Sequence, residues 1–314
     1  PMDRLLLMKP PKGGLPGEEG DYALAMNKPI YGTKDAGRRF YKTFRRRAIE
    51  AGLIECSLCR SLYTYRDENG RIVILAGAHV DDILWAAEPQ YEHLMFDHLF
   101  KYFELNQVEE GEFRFCGREY TQGDDFGIYI TCKNNTEKIL PISFVKGDRG
   151  AESKATAAEI AQARSVIGSL AWIARQARPD LCYQTSRLQS VVSCALVKHL
   201  TQCNKILQEA QSTSGVGIYY APAAFDFEDS ILLSIHDASW ANDVKIIDDK
   251  VFPRRSQYGR ITCLGDPSLW DGQTGKVHFI GWKSGLIKKM CRSTFRAETH
   301  GCVYAMEAGV AIRA

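Results

Sequence analysis

The spacing of apolar positions changes several times along this chain, and each change marks an element. From Ala36 to Leu53, Phe40, Phe44 and Ala48 recur every fourth residue, the repeat of one helix face, and Gly52 stands near the stop. Ser61–Arg66 and Ile72–Ala78 are short apolar runs split by Asp67-Glu68-Asn69-Gly70, which predicts a hairpin. A third run, Ile83–Ala87, follows closely, so a second hairpin is expected with Asp81 and Asp82 at its tip. A helix is expected from Pro89 to Tyr102, then two or three short strands between Phe113 and Thr131. The polar, turn-rich stretch 133–153 reads as a boundary. Helical spacing returns from Ala155 to about Ser212, with breaks at Arg178-Pro179-Asp180 and near Cys194. Ile231–Ile235, Tyr258–Leu264 and Val277–Trp282 read as strands, and a helix begins near Thr294. This β-β-β-α order predicts a new domain.

Composition narrows the class. The chain has 314 residues, 45% apolar and 25% charged, which fits two or three globular domains and excludes a disordered chain or a collagen. No apolar run approaches the roughly 20 residues that span a bilayer, and no secretory leader opens the chain. It begins at Pro1 and stops at Ala314 inside an apparent amphipathic helix, so an internal piece of a longer polypeptide is expected. The Pro/Gly loop 10–20 lacks the G-K-[ST] of a phosphate-binding loop and reads as a connection. Ten cysteines are too few for a disulfide scaffold of this size. The one C-x-x-C, Cys56 to Cys59, has no second pair; reduced thiols are the favoured reading and zinc the alternative.

The net charge of +2 selects no partner, but its distribution is uneven. Arg38, Arg39, Lys42, Arg45, Arg46 and Arg47 interleave with Phe40, Tyr41 and Phe44. The aromatics are expected in the core, with some of the basic side chains free to face nucleic acid phosphates. Asp81 and Asp82 repel each other unless a cation lies between them, and hard divalent ions take carboxylate oxygens. The flanking apolar strands favour a rigid, buried hairpin over a solvated turn. Asp237 ends an apolar strand and Glu298 lies one turn into the helix after the third strand, an arrangement that can converge on one metal. His79 is a possible further ligand, though a lone His is more often a packing residue.

Together these stretches resemble the reverse transcriptase and ribonuclease H region of copia-type LTR retrotransposon polyproteins. LLLMKPPKG (5–13) is similar to the segment after the first catalytic strand, and NKPIYGTKDAGRRFY (27–41) to L-Y-G-L-K-Q-A-P-R-x-W-Y. AHVDDILWAA (78–87) resembles the Y-V-D-D box, and GEFRFCGREY (111–120) the G-x-x-x-F-L-G-x-x-I stretch. RSVIGSLAWIARQARPDLCYQTSRL (164–188) is similar to R-S-x-x-G-S-L-x-Y-L-x-x-x-T-R-P-D-I. HDASWAND (236–243), RRSQYGR (254–260), WKS (282–284) and STFRAETHGC (293–302) follow in the family's order. His79 replaces the usual Tyr, Thr33 the usual Leu and Asp35 the usual Gln.

The resemblance implies an α+β fold in three parts. A partial palm and fingers region would occupy 1–150, a helical thumb or connection 151–225, and the opening β-β-β-α of a ribonuclease H-like domain 226–314. Asp81 and Asp82 would be two of three polymerase carboxylates, and Asp237 and Glu298 the first two of four nuclease acids, holding Mg²⁺ or Mn²⁺. Gly32 and Lys34, with Arg38 and Arg39, would lie near the nucleotide and template. The implied partners are an RNA template, a DNA primer, dNTPs, an RNA–DNA hybrid and the rest of the Pol polyprotein, with no membrane. The implied setting is a cytoplasmic particle with later nuclear entry. The remaining acids fall outside this stretch, so the isolated chain is expected to be nearly inactive. The alternative is a decayed or domesticated nucleic-acid-binding protein without catalysis.

Overall fold

The computed structural model describes residues 6–17, 21–26, 33–34, 36–103, 107–145, 147–222, 224–226, 229–247 and 250–313. Side chains of 242–254 are not described. Gly32 and Asp35, both singled out above, lie outside the described residues. The chain divides into two compact units, Pro1–Val108 and Glu109–Ala314.

In the first unit, β1 (Leu7–Met8) and β2 (Leu24–Ala25) form a minimal antiparallel pair. Helix α1 (Ala36–Glu50) ends short of the expected Leu53. Gly52 takes φ +90°, and Leu53 N–H donates to Ala48 O at 2.9 Å, the six-residue closure that terminates a helix on a left-handed glycine. Strands β3 (Ile54–Glu55), β4 (Leu62–Arg66), β5 (Ile72–His79) and β6 (Asp82–Ala87) form an antiparallel meander in that order. Register places Tyr63, Ala76 and Trp85 abreast, with Tyr65, Ile74 and Ala87 beside them. Period-two alternation sends these side chains to one face. There α1 contributes Phe44 and Ala48, and the helical stretch 89–102 contributes Met95, Leu99 and Phe100, closing the core. That stretch is helical where expected, but its central turn, Leu94–Leu99, is widened.

The second unit opens with β7 (Glu112–Phe115), β8 (Arg118–Gln122) and β9 (Ile128–Thr131). Cys116 and Gly117 make the two-residue turn between β7 and β8, both at positive φ, which suits the right-handed strand twist. Helices α2 (Lys133–Glu137), α3 (Ala157–Gln176), α4 (Cys182–Val191) and α5 (Val197–Ser212) follow. Strand β10 (Ile218–Tyr220), which the apolar spacing does not predict, adds to β9. Then β11 (Ile231–Ile247), β12 (Lys250–Gly265) and β13 (Val277–Leu286) form an antiparallel sheet on which α6 (Thr294–Arg313) packs.

The stretch 133–153 is not a break between compact units. Ile142 is buried, and Asn204 on α5 binds its N–H and C=O, both at 2.9 Å. Gln211 Nε2 donates to Ile139 O at 2.9 Å. Thr136 in this stretch is buried as well, and α5 holds the backbone at Ile139 and Ile142. The Arg178-Pro179-Asp180 break also has a packing role. Buried Arg178 pairs with Asp180 at 2.7 Å and donates to Thr213 O at 3.0 Å, closing the end of α5. Trp282 Nε1 donates to Ala174 O at 2.8 Å and Gln257 Nε2 to Ser186 Oγ at 3.0 Å, tying the last sheet to the helices.

Candidate functional site

Asp81 and Asp82 stand at the tip of the β5–β6 hairpin, as the spacing predicts. His79 pairs directly with Asp82, so the connecting loop has only Val80 and Asp81. Val80 takes φ +57°, a region a β-branched residue avoids. Such strain persists only where the surrounding pairing enforces it. Both aspartates are exposed, and among the described residues neither carboxylate has a hydrogen-bond or ion-pair partner. Ile83 and Trp85 pack into the core, so alternation directs Asp82 to the opposite face of the sheet. That face also carries His79, Gly77, the exposed Ala86 and Leu75, the last 46% exposed. Two adjacent hard-oxygen donors without a cationic partner suit a divalent ion such as Mg²⁺.

The basic run sits on α1, on the core side of the same sheet, and is partly committed. Arg45 Nε donates to Glu55 Oε2 at 2.6 Å. Arg47 pairs with Glu50 at 2.6 Å and lies 3.6 Å from the Tyr102 ring centroid. Tyr41 Oη donates to Glu55 Oε1 at 2.7 Å and Ser61 N–H to the same oxygen at 3.4 Å. Burial would lift the Glu55 carboxyl, but hydrogen bonds from Arg45, Tyr41 and Ser61 outweigh it and hold the carboxyl below its ordinary range. Arg38, Lys42 and Arg46 remain exposed, Arg39 is half-buried, and Lys34 is exposed just before the helix. The run expected to face nucleic acid is therefore smaller than its six charges.

In the second unit, Asp237 lies on β11 and Glu298 in the first turns of α6. Small residues let the helix approach: Ala297, Gly301, Ala305 and Gly309 face the sheet at four-residue spacing. A Cβ at Gly301 would lie 3.5 Å from both His236 Nδ1 and Ala238 Cβ. His236 and Ala238 therefore face α6, and alternation turns exposed Asp237 the other way. The side chain that meets Glu298 is His236, its Nδ1 3.9 Å from Glu298 Oε2 and buried without a hydrogen-bond partner. Among the described residues, no three His, Cys, Asp or Glu side chains gather as a metal-binding set. This also leaves Cys56 and Cys59 without partners for a closed zinc site.

A cleft of about 740 Å³ between the α2 region and α3 has no counterpart in the apolar pattern. Lys138, Arg164, Asn135, Ser165, Ser169 and Trp172 line it, without a carboxylate. Gly168 opens its floor, since a Cβ there would meet nothing within 4 Å. Trp172 is seated by Gly117, where a Cβ would come within 3.0 Å of the indole. The signal in the sequence is Arg164, Gly168 and Trp172 at four-residue spacing, one face of a helix. No helix among the described residues is long and apolar enough to cross a membrane.

Comparison with known proteins finds relatives along most of the chain. It is 26% identical to the "Retrovirus-related Pol polyprotein from transposon RE1" of Arabidopsis thaliana, over 93% of this chain and 19% of that protein. It is also 26% identical to the corresponding polyprotein from transposon RE2 of the same plant, over 94% of this chain and 19% of that protein. The chain thus spans about a fifth of the length of these curated relatives. No family model and no solved structure matches it.

Proposed function

This chain is a homologue of copia-type retrotransposon Pol polyproteins, and on that footing we propose that it carries part of an RNA-directed DNA polymerase joined to the start of a ribonuclease H domain. The observation that carries the reading is the Asp81–Asp82 pair, at the tip of a hairpin whose two-residue turn is strained at Val80, with no cationic partner among the described residues. In this reading the sheet face shared by Asp82, Leu75 and Ala86 receives the primer terminus. The helices α3–α5 act as the thumb or connection, and β11–β13 with α6 open the nuclease domain.

A divalent ion, Mg²⁺ or Mn²⁺, held by Asp81 and Asp82 would stabilise charge on attacking and leaving phosphate oxygens, whereas Asp237 and Glu298 sit on opposite sides of β11 and do not share an ion in this arrangement. The chain's own residues then have defined tasks. The hairpin tip presents two adjacent, exposed carboxylates for ion capture. Arg164 and Lys138 offer phosphate contacts, and Trp172 an apolar surface for sugar or base. Lys34, Arg38 and the half-buried Arg39 supply further positive charge before and along α1. The nuclease part reads an RNA–DNA hybrid by its shape and 2′-hydroxyls.

The test is binding of a labelled RNA–DNA hybrid across a salt series, with and without Mn²⁺. Affinity should fall linearly with salt on logarithmic axes, by about 0.7–0.9 per phosphate contact. Mn²⁺ should tighten binding in the parent chain and leave Asp81→Asn/Asp82→Asn unchanged, at equal circular dichroism. Salt-dependent binding with no metal component in either protein favours the non-catalytic binder, which the cleft charges alone would support. Absence of hybrid binding overturns both.

A further inference from the structure

The C-x-x-C between β3 and β4 is absorbed by neither candidate site. We propose that Cys56 and Cys59 form a reversible dithiol–disulfide site whose oxidants are low-molecular-weight disulfides of the glutathione class. Three observations carry this.

The first is geometry. Cys59 N–H donates to Cys56 Sγ at 3.4 Å, so the Cys56 sulfur already rests against the Cys59 backbone. The Cys59 sulfur is three bonds from that nitrogen, and rotation about one side-chain bond sweeps it toward Cys56. The loop ends are pinned: Cys56 N–H donates to Leu62 O at 2.8 Å, and Leu62 N–H to Cys59 O at 3.2 Å. The pair thus meets without rearranging the strands.

The second is access and charge. Cys59 is exposed and Cys56 half-buried. Exposed Arg60 follows directly, and the Cys56 sulfur accepts a backbone hydrogen bond within the loop. Elsewhere in the chain burial pushes the thiols of Cys132 and Cys203 up to about 12 and that of the half-buried Cys182 up to about 11, which withdraws them from exchange at neutral pH.

The third is the ligand count. A structural zinc site takes four protein ligands, and among the described residues no third donor joins this pair. Two thiols alone suit exchange chemistry better than a closed metal site.

The reaction balances without another reagent. Cys59 thiolate attacks one sulfur of the disulfide and expels one glutathione thiolate, forming a mixed disulfide. Cys56 thiolate then attacks the Cys59 sulfur and expels the second glutathione. The two cysteines lose two hydrogens in total, and glutathione disulfide is reduced to two glutathione thiols. The closed ring lies on the loop that ends at Ser61, which has φ +66° and bonds Glu55, the anchor of Tyr41 and Arg45 on α1.

The test incubates the full chain in glutathione buffers of rising disulfide fraction, quenches in acid, alkylates free thiols and maps peptides by mass. The expected product is a Cys56–Cys59 peptide two hydrogens lighter and protected from alkylation, reversed by excess glutathione. Cys56→Ser should trap a glutathione adduct on Cys59, and Cys59→Ser should give no internal disulfide. Both positions sit on a surface loop, and circular dichroism checks that the variants stay folded. A parent chain that stops at the glutathione adduct, forms disulfide-linked dimers, or holds stoichiometric zinc that blocks alkylation would overturn the proposal.

Discussion

Glu159 closes two constraints at once. Its carboxylate accepts from Thr156 N–H at 2.8 Å while Thr156 Oγ1 accepts from Glu159 N–H at 3.3 Å, the reciprocal cap that starts α3. Arg149 adds two further donors at 2.6 and 3.0 Å. The Arg149 guanidinium first, and then the Thr156 backbone, hold the carboxyl down to about 2. Its folded pKa lies below the unfolded value, so the stabilisation is complete above the ordinary carboxylate range. It is lost as pH falls from there toward about 2. Thr156→Ala should cost about 1 kcal/mol at neutral pH, from loss of the cap alone. Glu159→Gln should flatten the acid limb of urea unfolding across that window. An acid limb of unchanged slope in Glu159→Gln would assign the pH dependence to other carboxylates. Thr156 and Glu159 are readable in the sequence as a cap; Arg149 is not, because it reaches Glu159 from ten residues upstream, a distance no local pattern spans.

At the scale of elements, what could be read locally differs from what depended on partners. The hairpins of the first unit and α1 follow from apolar spacing, because each repeats within a few residues. Strand β10 has three residues and no amphipathic signature; it exists because β9 offers an edge. Gly217 lets it pair, since a Cβ there would collide with Ile130 O on β9. Helix α6 shows the same dependence. Ala297, Gly301, Ala305 and Gly309 are visible as a spacing, but their meaning comes from the sheet they touch. Phe295, Met306 and Val310 on the outer side are exposed, so hydrophobicity alone would seat the helix the wrong way round. Ala305 is 1% exposed and Met306 60%. Ala305→Leu should therefore cost about 1–3 kcal/mol by overpacking against β11, whereas Met306→Leu should stay within about 0.5 kcal/mol. Urea unfolding of the two variants compares them directly. Equal effects would mean that α6 is not held by its small-residue face.

At the scale of the molecule, the two candidate centres were legible to different degrees for one reason. Asp81 and Asp82 are neighbours on one hairpin, so sequence adjacency brings them together. The pairing of Glu298 with His236 rather than Asp237 depends on which strand face α6 covers, and no local pattern reports that. The cleft beside Trp172 likewise draws on the β7–β8 turn, α2 and α3 at once. The same contrast separates the two units, whose cores share no residue. One closes on Phe44, Tyr63, Ile74 and Leu99, the other on Leu170, Ile173, Leu200 and Ile206. Phe44 is 1% exposed, with ring centroids of Tyr63 at 5.4 Å and Phe103 at 5.7 Å. Phe44→Ala should remove about 3–5 kcal/mol, much of the stability of a unit this size. Each kcal/mol shifts the melting of such a domain by roughly 4–8 °C. Scanning calorimetry of the parent should show two transitions. In Phe44→Ala one should fall by more than about 12 °C, or vanish, while the other stays within a degree or two. A single transition that moves as a whole would show instead that the two cores melt as one cooperative body, and that damage in the first unit is felt at α6.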